Sequence, residues 1–157
     1  MIARRSLVAG SAALAAAALL AALRPVTVLE LDNAARGRTL RAAVADGETF
    51  SVVTHHSMYD TPVTEEFVLA GGRVVLQAVS SPSAAVREYF GLAGAGERHR
   101  VSRVMPEVVF RVAAGVPQQL RVRGASRSFL DVGEHGDRLV LRPARAPAIV
   151  RWTMDPF

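Results

Sequence analysis

The chain is predicted to be all-β, an antiparallel β-sandwich or partly closed barrel preceded by one N-terminal hydrophobic helix, and three observations lead there. From Val26 onward the apolar residues recur mainly with period two, the spacing that sends alternate side chains to opposite faces of a strand. Between these runs stand residues 33–37, Asp46-Gly47, Gly71-Gly72, Gly124-Ala125 and residues 133–136, which supply the Gly, Asn and Asp that reversals need. The connections are short, so consecutive strands are expected to pair as antiparallel hairpins.

In order, the pattern predicts strands at 26–31, 39–44, 49–56, 63–70, 73–80, 86–90, 107–112, 119–122, 128–132 and 138–141. Residues 83–89 compete as a short helix, because Ser83 is a good N-cap and follows Pro82. The Gly- and Ala-rich residues 92–96 read as a flexible loop, and Trp152 as a lid over the core. No internal repeat or heptad is present.

Half of the 157 residues are hydrophobic, enough to bury one sizeable core, so residues 25–157 are read as one domain after a targeting segment at 1–24. Cysteine is absent, which excludes disulfides, Cys-ligated zinc, iron–sulfur clusters and thiol nucleophiles. All 19 basic residues are arginine. Arg4, Arg5 and Arg24 precede the first acid, Glu30, so the formal charge of +5 falls to +2 beyond them. Arg121, Arg123 and Arg127 alternate along a short strand and read as a solvated face. With no helix-turn-helix, RNA-recognition or zinc-finger spacing, nucleic acid is not an expected partner.

Residues 7–23 carry no charge and follow a basic start. As a helix these residues would reach about 26 Å, between a signal-peptide core and the roughly 30 Å of a bilayer interior. Small-residue cleavage patterns lie inside the run, whereas its end, Ala21-Ala22-Leu23-Arg24-Pro25, offers none, which favours an uncleaved anchor over a cleaved signal. Arg4-Arg5-Ser6-Leu7-Val8 resembles a twin-arginine export signal without its preceding Ser or Thr and its Phe. The basic end stays inside, so the domain is expected outside the cytoplasm, periplasmic or cell-surface and anchored to the cytoplasmic membrane through residues 7–23 if the leader is kept.

The stretch with most chemistry is the hairpin of residues 50–67. Alternation places Phe50, Val52, Thr54 and His56 on one strand face and Val63, Glu65, Phe67 and Leu69 on the facing side of the next. A reversal near Asp60 predicts paired positions summing to 119 or 121, which sets His56 opposite or diagonal to Glu65, within reach of a His–carboxylate hydrogen bond. Strand neighbours project to opposite faces. His55 and His56 therefore do not chelate one metal, His56 does not serve Ser57 as a base, and Glu65 and Glu66 do not form a close carboxylate pair.

For the His56–Glu65 pair the plainest reading is a satisfied polar contact that closes one end of the core. Against it stand a ligand- or partner-docking role, a metal site recruiting His99 or His135, and general acid–base catalysis. Met58 and Tyr59 read as apolar cover for the turn, and Pro62 as a block to an earlier strand start. Residues 87–91 read as an edge strand, or as a rim beside the hairpin. No catalytic residue, cofactor or metal is assigned, since no nucleophile elbow, zinc motif or phosphate loop occurs. The binding or structural motif is His56, Ser57, Tyr59, Pro62 and Glu65.

This hairpin resembles the domain of unknown function family 1850, marked by an aromatic-led strand, His-Ser, a short interval, Pro-Val, and a Glu before an aromatic. Phe50, His56-Ser57, Pro62-Val63, Glu65 and Phe67 match in turn, and the resemblance spans about residues 26–152. Thr54 stands where the family often has tyrosine, and residues 87–98 replace a Gly-rich Leu-Pro motif. The resemblance implies a small extracytoplasmic domain associated with TAXI-type TRAP transporters, with the permease or its solute receptor as partner. It implies no established activity. The expected function is thus a non-enzymatic accessory or binding module. The rivals are a small-molecule or metal-binding enzyme using His56 and Glu65, and a passive structural envelope module.

Overall fold

The computed structural model describes residues 17–92 and 94–149. Ten strands are described: β1 (Pro25–Asn33), β2 (Arg38–Ala43), β3 (Thr49–His56), β4 (Thr61–Ala70), β5 (Arg73–Ser80), β6 (Arg98–Met105), β7 (Val108–Arg111), β8 (Gln119–Val122), β9 (Ala125–Ser128) and β10 (Arg138–Pro147). One helix, α1 (Ala84–Tyr89), follows β5, and a 3-10 turn, Phe129–Asp131, follows β9. The strands form two antiparallel sheets, four-stranded in the order β2-β1-β10-β7 and six-stranded in the order β6-β5-β4-β3-β8-β9.

The core lies between the sheets, where Leu29 and Leu31 of β1 and Leu139 and Leu141 of β10 join Phe50, Val52, Phe67, Leu69, Leu120 and Val122 in one buried cluster. Phe50 and Phe67 are register partners, and their rings stack at 5.4 Å. The period-two pattern is therefore the pattern of the core itself. The other face of β1 carries Glu30, only 7% exposed, directly between Arg142 of β10 and Arg41 of β2 in register. Burial opposes its ionisation, but hydrogen bonds from Arg41 at 2.8 Å and Arg142 at 3.0 Å together hold its carboxyl below the ordinary value.

Three of the predicted strands, 49–56, 73–80 and 119–122, have the bounds the structure gives them. Other segments differ, each for a physical reason. Residues 86–90 are the end of a helix rather than a strand: Ser83 Oγ accepts from the Val86 amide at 3.4 Å, and Arg87 donates to the carbonyls of Ser81 and Pro82. In place of a strand at 128–132 stands the 3-10 turn Phe129–Asp131, capped by Ser128 at the close of β9 through a capping box with Asp131. The last strand continues through Arg142, Pro143 and Arg145 to Pro147, because β1 pairs along its whole length. The sequence pattern predicts no strand at β6, because only His99 on it is buried and its apolar alternation is weak.

The connections define two ends of the sandwich. At one end the crossover after β2 meets the β4–β5 turn, with Gly47 N donating to Leu69 O and Gly71 N to Asp46 Oδ1. β1 enters at this end, since Val28 pairs with Ala43 at the close of β2. At the other end Asn33, which closes β1, donates to Val132 O, while Phe129 N donates to Gln118 O just before β8. The β3–β4 hairpin tip belongs to this second end, because Val53, three residues before His56, pairs with Gln119.

Of the expected leader, residues 17–23 are helical, while 1–16 lie outside the described residues, as does Trp152. Among the described residues no helix is long and apolar enough to cross a membrane.

Candidate functional site: an aromatic hairpin tip

The β3–β4 reversal is a four-residue turn, Ser57 to Asp60, in which Tyr59 N donates to His56 O at 3.2 Å and Thr61 Oγ1 to Tyr59 O at 2.8 Å. Asp60 takes a left-handed φ of 46°, which a short polar side chain tolerates. The turn folds Tyr59 back, so its ring lies 4.9 Å from that of His56.

From the other side comes α1. With Val86 buried against the core, a single turn of helix brings Tyr89 and Phe90 out beside the hairpin. The Tyr89 ring meets His56 edge-on at 4.9 Å, Phe90 lies 6.5 Å from it, and Tyr89 and Phe90 contact each other at 5.6 Å. His56 is thus enclosed by three aromatic rings from two elements. The enclosure is open to solvent on its outer side, where Met58 is 74% exposed and Tyr89 66%. Isolated exposed apolar residues are ordinary, but four at one tip, with Tyr59 and Phe90 also exposed, form a patch.

The tip is polar within. Nδ1 of His56 and Nδ1 of His55 are both buried without a hydrogen-bond partner among the described residues. His55 points to the outer sheet face, and its Nε2 lies 3.4 Å from the exposed Asp60 carboxylate.

The expected His56–Glu65 pair is not formed. The strands pair at a sum of 117, not 119 or 121, which puts Thr61 opposite His56 and Val52 opposite Glu65. The two residues share the core-side face, as alternation requires, but stand four strand positions apart, about 13 Å along the sheet. The cause is the tight turn: ending it at Asp60 lets Thr61 pair at once with His56, two or four residues nearer the tip than the expected partner.

Glu65 instead lies between Val52 and Val79 in the cross-strand register. Burial among these residues pushes its carboxyl up from the ordinary value, with no arginine to oppose the shift. Glu66, one residue on, faces the other way and is held below its ordinary value by Arg98, which donates to it through two nitrogens at 2.8 and 2.6 Å.

The remaining motif residues separate. Ser57 is exposed at the turn. Pro62 lies within β4 on the outer face opposite His55, not ahead of the strand, and a residue without N–H is accommodated there because β5 pairs only from Thr64 onward. His99 is buried on β6, its Nε2 3.0 Å from Gly96 O, while His135 sits in the loop before β10, so neither joins His56. Among the described residues no three His, Asp or Glu side chains converge as a metal site.

The tip therefore assembles His56 and Tyr59 from the motif with Tyr89 and Phe90, whose approach the rim reading of residues 87–91 anticipated, though as a strand. Its chemistry is that of a contact surface: aromatic area at low conformational cost, with an imidazole at the centre. Comparison with protein-family models, curated proteins and solved structures returns no match to this chain.

Proposed function

We propose that the chain is a non-enzymatic, extracytoplasmic accessory module of a TAXI-type TRAP transporter, which docks the permease or its solute receptor through the aromatic tip. The observation that carries this reading is the enclosure of His56 by Tyr59, Tyr89 and Phe90 at an exposed corner, since aromatic residues concentrate at the energetic centres of protein interfaces. The transporter link comes from the likeness of the hairpin motif to domain of unknown function family 1850, an associational warrant. The leader supports export, and kept as an anchor it enters the sandwich at the end opposite the tip, leaving the tip free to reach a partner beyond the membrane surface.

The rival acid–base reading needs His56 and Glu65 together, and the register separates them. A passive envelope module remains the competing view. Affinity purification of the full chain from its native membranes tests the choice. Recovery of transporter subunits, lost in Tyr89→Ala without loss of folding, supports docking. Recovery of no transporter subunit, or equal recovery with the variant, rejects it. Fusion of residues 1–30 to a reporter that matures only outside the cytoplasm tests export, and a silent reporter removes the localisation.

A further inference from the structure

The face of the six-stranded sheet turned away from the other sheet carries a polar and charged cross-strand row. It runs Ser126, Arg121, Ser51, Glu66, Ala78, Arg100 across β9, β8, β3, β4, β5 and β6. Ser51, shorter than its neighbours Arg121 and Glu66, lines a trough between them, while Ala78 is fully buried. A hollow of about 500 Å³ occupies one part, with Thr49, Ser51, Glu66, Arg98, Arg121 and Arg123 among its lining residues. A second of about 390 Å³, sharing Gln77 and Arg98, continues it to Arg100 and Ser102. Both hollows are open to solvent rather than enclosed.

The charges are sorted along the trough. Arg98 is held by both oxygens of Glu66, and Arg123 by both oxygens of Glu48, at 2.5 and 2.7 Å. Those two guanidiniums are fixed in place. Arg121 donates only to the neutral amide oxygen of Gln119 at 3.2 Å, and Arg100 has no ion-pair partner among the described residues. Four guanidiniums against two carboxylates leave the trough with two positive charges in excess. Two carboxylates already sit against guanidinium forks here, so the local geometry suits a planar carboxylate, the bidentate partner of arginine.

We infer that this trough binds a carboxylate-bearing small anion, with Arg121 as its principal fork and the hydroxyls of Thr49 and Ser51 beside it. The site lies on the sheet face rather than at the tip and is independent of the transporter reading.

Calorimetric titration of the full-length protein with citrate, at ionic strength matched by sodium chloride, tests it. Saturable binding is expected, weakened at least about tenfold in Arg121→Gln through loss of a charge-assisted fork, and unchanged in Arg38→Gln on the other sheet. Arg121→Lys keeps the charge without the fork, guards against a folding defect in the first variant, and is expected to lose most of the affinity. Absence of saturable citrate binding overturns the inference. So does full affinity in Arg121→Lys, equal affinity for inorganic phosphate, or binding of a hexaglutamate peptide in place of citrate.

Discussion

Two corners at the same end of the sandwich solve the problem of buried polar atoms differently. Around Asp137, Asn33 Nδ2 donates at 2.9 Å, the Glu134 amide at 2.9 Å and Arg36 Nε more closely still, while Arg36 also reaches Glu134 at 2.8 Å. These donors, led by Arg36, hold the Asp137 carboxyl well below the usual carboxylate range. Asn33, fully buried, further ties β1 to the carbonyl of Val132, while its Oδ1 is buried without a partner among the described residues. At the aromatic tip, by contrast, two imidazole nitrogens are buried with no partner and the surrounding rings are half in solvent. The first corner is a latch that joins the β1–β2 and β9–β10 connections. The second gives little to the fold, and a surface that contributes little to stability is free to serve contact.

The contrast can be broken most directly at the latch. Asn33→Ala removes two buried donor contacts and is expected to lower unfolding free energy by about 1–3 kcal/mol, measured by denaturant titration. An unchanged midpoint would show that the latch is no more structural than the tip.

Next comes Glu65, whose burial between Val52 and Val79, away from the tip, has a pH signature. Below the ordinary value of 4.5 the folded and unfolded chains both hold the proton. As pH rises past that value the unfolded chain releases it first, so stability falls until the raised folded carboxyl ionises in turn. Glu65→Gln cannot ionise, so its stability relative to the native chain should increase as pH rises past 4.5, until the raised folded carboxyl of the native chain ionises in turn. A constant difference across thermal melts over that range would mean that Glu65 is solvated.

His56→Phe keeps the ring contacts and removes the unpartnered nitrogen. It should alter stability by less than about 1 kcal/mol, in either direction; a larger loss would reveal a hydrogen bond that the imidazole makes. The smallest effect is expected at Tyr89→Ala, within about 0.5 kcal/mol as for other exposed positions, while partner recovery falls. Destabilisation well beyond that would recast the tip as part of the core.

Much of the fold was legible because β3, β4, β5 and β8 alternate buried apolar and more polar positions, and burial acts on each strand alone. β6 was not legible. It is an edge strand whose arginines face solvent and whose one buried residue is a histidine, so no hydrophobic period marks it. The helix at Ala84–Tyr89 was ambiguous, since a six-residue segment holds too few turns for its period to outweigh a strand reading, and the Ser83 cap decided it.

At the site, the shared face of His56 and Glu65 followed from parity, but their contact did not. Register depends on where the turn ends, and with Asp60 in a left-handed conformation the turn closes so that His56 pairs with Thr61, at least two residues nearer the tip than expected. The approach of Tyr89 and Phe90 depends on the packing of Val86 into the core, a contact between segments about thirty residues apart along the chain.

What the amino-acid order determined by itself is local: strand periodicity, turn chemistry, the absence of cysteine and the charge left beyond residue 24. Tertiary structure alone decided which polar groups meet, bringing Asn33 to Asp137 and three rings to His56 while keeping Glu65 away from that imidazole. Side-chain alternation is set residue by residue, whereas register and inter-element approach are set by how whole strands and a helix close over one core, and a shift of two positions there exchanges every partner.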